Sequence, residues 1–415
     1  VIDRHRFALA LLAGVVLVAT AGCAPLASPT GSPPPPATPR YTGPPVLGLD
    51  WGRAASVERP VNFDATLPPG GGNRTHPILR IPGQAIVADV AGLPTGGFVS
   101  VGYVPPDWTP AAWTSPDGQT WSIHSLGSTG FTFAVAVASG GNGTTVAVGR
   151  SGSLPVAWTS TDGSSWEQRP VPATGPGRVA ERMTSVVAGG PGFVAGGSAG
   201  PELSDRHARF WTSIDGATWQ AVADEPDAFA NAEVRDIVKV DDGLVAVGVV
   251  GDAQHPTGAV AWTSKDGTEW TRVDDPAFAG GVAVAVTFAP FGRLVAVGSD
   301  LDRKEAVAWT STDGRTWQRA PKEPSRLYAG FVWMTDVAAV GDSVIAVGDD
   351  QGLQRGTAES WVSTDGLHWQ QSRTAPVQEQ GEFYAIAPGG PGAIATGSFG
   401  APDSYVPQVW LTPAR

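Results

Sequence analysis

Apolar residues along this chain come in short runs separated by Gly- and Asp-rich breaks. Between Glu233 and Val273 the order is EVRDIVKV, a DDG break, LVAVGVV, a polar stretch, AVAWTS, the Asp266-Gly267 pair and TEWTRV. The runs are rich in Val and aromatic side chains, and none carries the 3.6-residue period of an amphipathic helix. Four such runs bounded by turn residues predict a four-stranded antiparallel meander. The Asp-Gly pair predicts the hairpin between strands three and four, because both residues accept positive φ.

This unit repeats. WTSPDGQTW (Trp113 to Trp121) returns as WTSTDGSSW from Trp158, WTSIDGATW from Trp211, WTSKDGTEW from Trp262, WTSTDGRTW from Trp309 and WVSTDGLHW from Trp361, at spacings of 45, 53, 51, 47 and 52 residues. A period in this range signals a repeat architecture. With Asp117-Gly118 as a two-residue turn, Thr114 pairs with Trp121 and Trp113 with Ser122. That register puts the two tryptophans of a repeat on opposite faces of their sheet. A sheet with a large aromatic on each face needs a neighbour on both sides, and a ring of like sheets, a β-propeller, supplies one.

The ends set the number of blades. A seventh repeat starts at Glu382 with EFYAIA, AIATGSF and QVWLT, and the chain stops before a fourth strand. LGLDWGRAASVERP (Leu47 to Pro60) reads like the fourth strands EWTRVDDP and TWQRAPKEP. The expectation is therefore an all-β, seven-bladed propeller of four-stranded blades over residues 46–415, the last blade closed by the N-terminal strand. Fourteen of the 16 Trp then form seven pairs, with Trp51 and Trp410 as the split pair.

The phrase SxDGxxW resembles the Asp box, or BNR repeat, of sialidases and other bacterial propellers, with one residue fewer between Asp and Gly. The resemblance implies that Asp117, Asp162, Asp215, Asp266, Asp313 and Asp365 form structural turns on the rim, away from any active site. Arg80-Ile81-Pro82, just before the first blade, is similar to the Arg-Ile-Pro of sialidases, whose Arg holds the substrate carboxylate within a cluster of three arginines. The resemblance makes Arg80 the anchor, Arg235 a second arginine and Tyr384 a nucleophile candidate. Thr335 occupies the matching position in between, so the sequence shows no third arginine, and seven repeats depart from the six blades usual in that family.

Residues 1–22 read as a secretory signal: Arg4 and Arg6, an apolar run from Phe7 to Ala19, then Thr20, Ala21 and Gly22. The run is short for a membrane-spanning helix, which needs about 20 residues. Ala21-Gly22-Cys23 resembles the lipobox of bacterial lipoproteins, although Thr20 stands where Leu or Val is usual. That implies lipidation of Cys23, the single cysteine. The Pro-rich stretch 23–45 predicts an extended spacer. Together these give an exported protein anchored by lipid on the outer side of the cytoplasmic membrane.

Composition narrows the chemistry. Only 16% of the 415 residues are charged, the net charge is −12, and no basic stripe exists to neutralise phosphates, which argues against nucleic acid. The six His show no paired-ligand spacing, so no metal site and no cofactor is expected. Gly196 to Gly200 matches GxSxG but ends a strand rather than entering a helix, so it is no nucleophile elbow. Acidic turns at Asp241-Asp242 and Asp349-Asp350 read as solvated.

In such a meander the loops between strands two and three share a face with the connections between blades. That face collects Tyr103 to Trp108, Asp205 to Arg209, Asp252 to His255, Asp300 to Lys304, Asp349 to Arg355 and Asp403 to Tyr405. It also holds the two tryptophans outside the repeat. Trp108, Trp333, Arg80, Arg206, His207 and His255 are the ligand-binding candidates, as exposed aromatics beside mixed charge suit a glycan or a protein. The expected function is a monomeric binding or scaffolding module for a glycan, a cell-wall component or a protein partner. A sialidase-like hydrolase centred on Arg80 is the rival, and a factor for assembling membrane complexes the third reading.

Overall fold

The structure is a computed structural model and describes residues 51–53, 56–57, 85–105, 108–127, 131–173, 180–200, 206–251, 255–302, 305–322, 332–350, 357–372, 381–389, 392–399 and 406–412. Cys23, Arg80, residues 1–45 and parts of several connection-face loops, 201–205, 252–254, 351–356 and 401–405 among them, lie outside the described residues.

Seven antiparallel sheets form the molecule, each running from an inner first strand to an outer fourth. Blade 1 is Ile86–Gly92, Phe98–Val104, Thr109–Ser115 and Thr120–Ser125; blade 2 is Thr132–Ser139, Thr145–Ser151, Leu154–Ser160 and Glu167–Pro170. Blades 3 to 6 begin at Glu181–Gly189, Ala232–Val240, Gly281–Ala289 and Val332–Val340. Blade 7 has Gly381–Gly389, Gly392–Phe399 and Val406–Thr412. Each first strand touches that of the next blade, and blade 7 touches blade 1, so the sheets close into a seven-bladed propeller.

Gly52–Arg53 stands beside Val406–Thr412 in the fourth-strand place of blade 7, with Gly52 opposite Leu411 and Arg53 opposite Trp410. Ser56–Val57 then lies parallel to the outer strand of blade 1. Trp51 is 1% exposed, and its indole N–H donates to Ser360 Oγ of blade 6 at 3.0 Å.

The hairpins correct the expected register. Ser213 opposes Trp219 and Ser311 opposes Trp317, so five residues rather than two bridge strands three and four. The Ser hydroxyl and Asp carboxylate explain the wider loop. Ser115 Oγ accepts from Gly118 N at 2.8 Å, while Asp117 Oδ1 accepts from the amides of Gln119 and Thr120 at 2.8 and 3.2 Å. A one-residue shift flips a strand's side chains to the other face. Both tryptophans of a repeat therefore share one face, and that face meets the preceding blade. Trp113 and Trp121 pack on Ile394, Val409 and Leu411 of blade 7; Trp309 and Trp317 pack on Val245 and Val247 of blade 4. Trp410 and Trp51, opposed with the same offset, pack on Ile345 and Val347 of blade 6.

Every first strand carries a bulge near its start, for instance between Val234 and Asp236 and between Phe383 and Ala385. Opposite each lies a second-strand glycine: Gly102, Gly149, Gly197, Gly248, Gly298, Gly348 or Gly397. A Cβ on Gly149 would sit 1.8 Å from the Phe133 carbonyl oxygen, and one on Gly298 1.9 Å from that of Val282. No side chain fits there. In three blades the residue after the bulge is Asp, and its carboxylate accepts an amide of the following blade: Asp89 from Val137, Asp236 from Val286 and Asp336 from Ile386, each at 2.9 Å.

Candidate functional site

The bulges aim a ring of side chains at the mouth on the connection face. The residue two positions before the unpaired residue of each bulge is, in blade order, Ile86, Phe133, Arg182, Glu233, Val282, Trp333 and Glu382. Their second-strand partners are Tyr103, Arg150, Ser198, Val249, Ser299, Asp349 and Ser398. Two sectors of this ring differ in chemistry.

Blades 3 and 4 hold an ionic cluster. Glu233, 2% exposed, stands among three guanidiniums. Arg182 donates to both its carboxylate oxygens at 3.2 Å, Arg206 is in direct contact, and Arg235 lies 3.6 Å away. Burial alone would raise the Glu233 pKa, yet Arg182, Arg235 and Arg206 together hold it far below the usual carboxylate range. Burial pushes Arg206 down to about 10, against the pull of Glu233 and with the repulsion of Arg182 and Arg235. The sequence singles out Arg206 and Arg235 as separate candidates; the fold adds Arg182 beside the same carboxylate. Its signal was available, since it occupies the same repeat position as Glu233, one blade earlier.

These guanidiniums are 8%, 2% and 3% exposed and already hold a carboxylate of their own chain. A ligand carboxylate would have to displace Glu233. Ser198 of the GxSxG match is buried within the strand Gly192–Ala199, opposite Arg182.

Blades 7, 1 and 2 hold an aromatic cluster. Tyr384 packs with Ile86, Tyr103, Phe133 and Val135, and Trp108 lies against them. The Tyr384 hydroxyl donates to Glu382 Oε2 at 2.9 Å and lies 2.9 Å from Ser398 Oγ. Tyr384 therefore sits three blades from the arginines, not beside them. Trp108 packs 5.6 Å from Tyr103 and 5.5 Å from Phe133, and the Arg150 guanidinium covers Phe133 at 4.6 Å.

The remaining candidates are dispersed. Trp333 is buried on blade 6 and Trp108 is half-buried, so neither is the freely exposed aromatic expected. His207 is half-buried at the start of a blade 3 strand, and His255 is exposed beside Pro256. Among the described residues no group of three His, Cys, Asp or Glu is placed to hold a metal.

A second feature of the blade 1–2 rim escaped sequence reading. Of three non-glycine residues with positive φ among those described, two are here: Trp108 at 54° and Phe131 at 47°. Bulky residues rarely adopt that conformation. Thr132 N donates to the Trp108 carbonyl at 2.9 Å, and Gly152 N donates to the Phe131 carbonyl at 3.0 Å. The result presents Phe131, 67% exposed, near Leu154, 54% exposed. No sequence motif signals it.

No protein-family model matches the chain, and no curated protein sequence matches it. Among solved structures it is similar to the Trypanosoma rangeli sialidase in complex with sialic acid, at 13% identity and TM-score 0.48, over 88% of this chain and 59% of that one. This chain thus spans under two thirds of that sialidase's length. A Lactobacillus plantarum protein matches at 12% identity and TM-score 0.49, over 76% of this chain and 96% of the other. A Dyadobacter fermentans protein of unknown function matches at 14% and 0.48, over 80% and 95%. At this identity the likeness is one of fold.

Proposed function

We propose that this chain is an exported, lipid-anchored binding module that meets a protein partner through the blade 1–2 rim. The observation that carries the reading is Trp108 and Phe131, side by side in strained backbone. Strain of this kind persists where the surrounding structure over-determines it, and it collects at functional sites. Here it leaves Phe131 exposed on the same rim as exposed Leu154, in the chain two residues before Phe133 of the packed cluster of Tyr103, Trp108 and Phe133. Exposed large apolar side chains on the rim of a packed aromatic cluster are the makings of a protein-binding hot spot.

The sialidase-like alternative needs guanidiniums open to a substrate carboxylate. Glu233 and burial close the cluster of Arg182, Arg206 and Arg235, and Tyr384 is on the far side of the ring. Binding without hydrolysis fits this arrangement better, and an assembly role is one form of it.

The test places a photo-crosslinking residue at Phe131, at Leu154 or, as control, at exposed Ile214 on the turn face, in the lipidated protein in its native envelope. A defined adduct from Phe131 and Leu154 but not from Ile214 supports the reading; equal adducts from all three overturn it. Hydrolysis of a fluorogenic sialoside that disappears in Arg235→Ala would restore the enzyme reading.

A further inference from the structure

The opposite face, which bears the hairpins between strands three and four, carries a groove the proposed function does not use. It lies between blades 2 and 3, has a volume of about 380 Å³, and is open to solvent. Trp166 forms part of its wall. Among the seven tryptophans in the second repeat position, six are 1% to 9% exposed: Trp51, Trp121, Trp219, Trp270, Trp317 and Trp369. Trp166 alone is only half-buried. The repeats serve as internal controls, so this exposure is a property of one blade and not of the architecture.

The rest of the wall is polar in a specific way. Thr144, Thr159, Thr161 and Ser165 bring hydroxyls, and Asp215 brings an exposed carboxylate from the blade 3 turn. Arg169 and Glu167 form a planar, two-pronged pair at 2.7 and 2.6 Å, and Arg169 Nε also donates to Thr159 Oγ1 at 3.0 Å. The guanidinium is thereby fixed by three hydrogen bonds in the groove lining. Asp215 Oδ1 accepts from the amides of Ala217 and Thr218 at 2.8 Å, which fixes the carboxylate as well.

We infer that this groove binds a neutral oligosaccharide. A pyranose ring has an apolar C–H face that stacks on an indole and a rim of hydroxyls that donate and accept in the ring plane. The groove offers an indole beside hydroxyls and planar charged groups already held in place, so little order is lost on binding. Glu167 and Asp215 against Arg169 leave one net negative charge, which disfavours acidic sugars. This site is on the other face from Phe131 and does not depend on the protein-binding reading. A propeller with both would join a glycan on one face to a protein on the other.

The test titrates the folded protein with cellohexaose and chitohexaose, with sialyllactose as the acidic comparison. Tryptophan fluorescence and saturation-transfer NMR are the readouts. Expected is saturable, millimolar-range binding of at least one neutral hexamer, weakened about tenfold or more by Trp166→Ala and by Arg169→Ala. Arg315→Ala, exposed on the blade 5 hairpin and away from this groove, leaves it unchanged. Exposed Thr161→Arg blocks the groove without touching the core and decides the matter should Trp166→Ala fail to fold. Absence of saturation with both hexamers, equal binding of sialyllactose, or indifference to Arg169→Ala and Thr161→Arg would overturn the inference.

Discussion

Single residues fix the repeat through contacts that permit no substitute. The second-strand glycine faces a bulge whose carbonyl stands within 2.0 Å of where a Cβ would be. Backbone, not a flexible side chain, is what the Cβ meets, so the blade itself must shift. Gly298→Ala is expected to cost about 2–4 kcal/mol, whereas Gly141→Ala, with open space around it, is expected to stay within about 0.5 kcal/mol. Urea unfolding of the two variants measures both. The turn aspartates act differently. Amide hydrogen bonds, led by that of Ser165, hold the Asp162 carboxyl well below its usual range despite some desolvation. A depressed folded-state pKa contributes stability that is present above the unfolded value, near 4, and is lost as pH falls through the folded one. Asp162→Asn should therefore be less stable than the parent at neutral pH. The gap should narrow steadily below about pH 4. Thermal unfolding from pH 7 downward reads this, and a gap that widens in acid would refute it.

Elements were more legible than their joints. Val-rich runs, Gly-Asp breaks and the recurring WTSxDG phrase suffice for seven four-stranded blades, because strand period and turn chemistry are local properties. The hairpin register was not legible. It depends on Ser115 Oγ and Asp117 Oδ1 folding the loop back on its own amides, and a two-residue turn and a five-residue loop differ by one step of pairing. That step decides whether each tryptophan pair faces one neighbour or two. At the seam, Trp51 reaches blade 6, Gly52–Arg53 pairs in blade 7 and Ser56–Val57 pairs in blade 1. If this segment holds the ring shut, Trp51→Ala should cost about 3–5 kcal/mol, as for a core aromatic. Trp410→Ala should cost as much, and the double variant less than the sum, since the two share one cluster. Near-neutral Trp51→Ala would mean that blades 1 and 7 hold together through their first strands alone.

At the scale of the molecule, the mouth is divided between an aromatic sector at blades 7, 1 and 2 and an ionic sector at blades 3 and 4. The sequence points to Arg206, Arg235, Tyr384 and Trp108, but it groups Tyr384 with Arg235 and Trp108 with Arg206. It could not tell that Tyr384 and Trp108 belong to one sector and the arginines to the other, because neighbours across blades are some 50 residues apart in sequence, as Ser185 and Asp236 are. The ionic sector makes a prediction of its own. Breaking a buried ion cluster at one member leaves charges uncompensated and costs about 3–5 kcal/mol. Glu233→Gln keeps the shape but removes the charge that Arg182, Arg206 and Arg235 share, so it should lose stability on that scale. Replacing the whole cluster by apolar residues of similar volume, Arg182→Met, Arg206→Met, Glu233→Leu and Arg235→Met together, should recover most of the loss. Denaturant midpoints for parent, single and quadruple variants test the pair of statements. Recovery means the cluster fixes geometry rather than supplying stability, with Glu233 as its internal counter-ion. A quadruple variant worse than Glu233→Gln would mean that the guanidiniums make further contacts the fold requires.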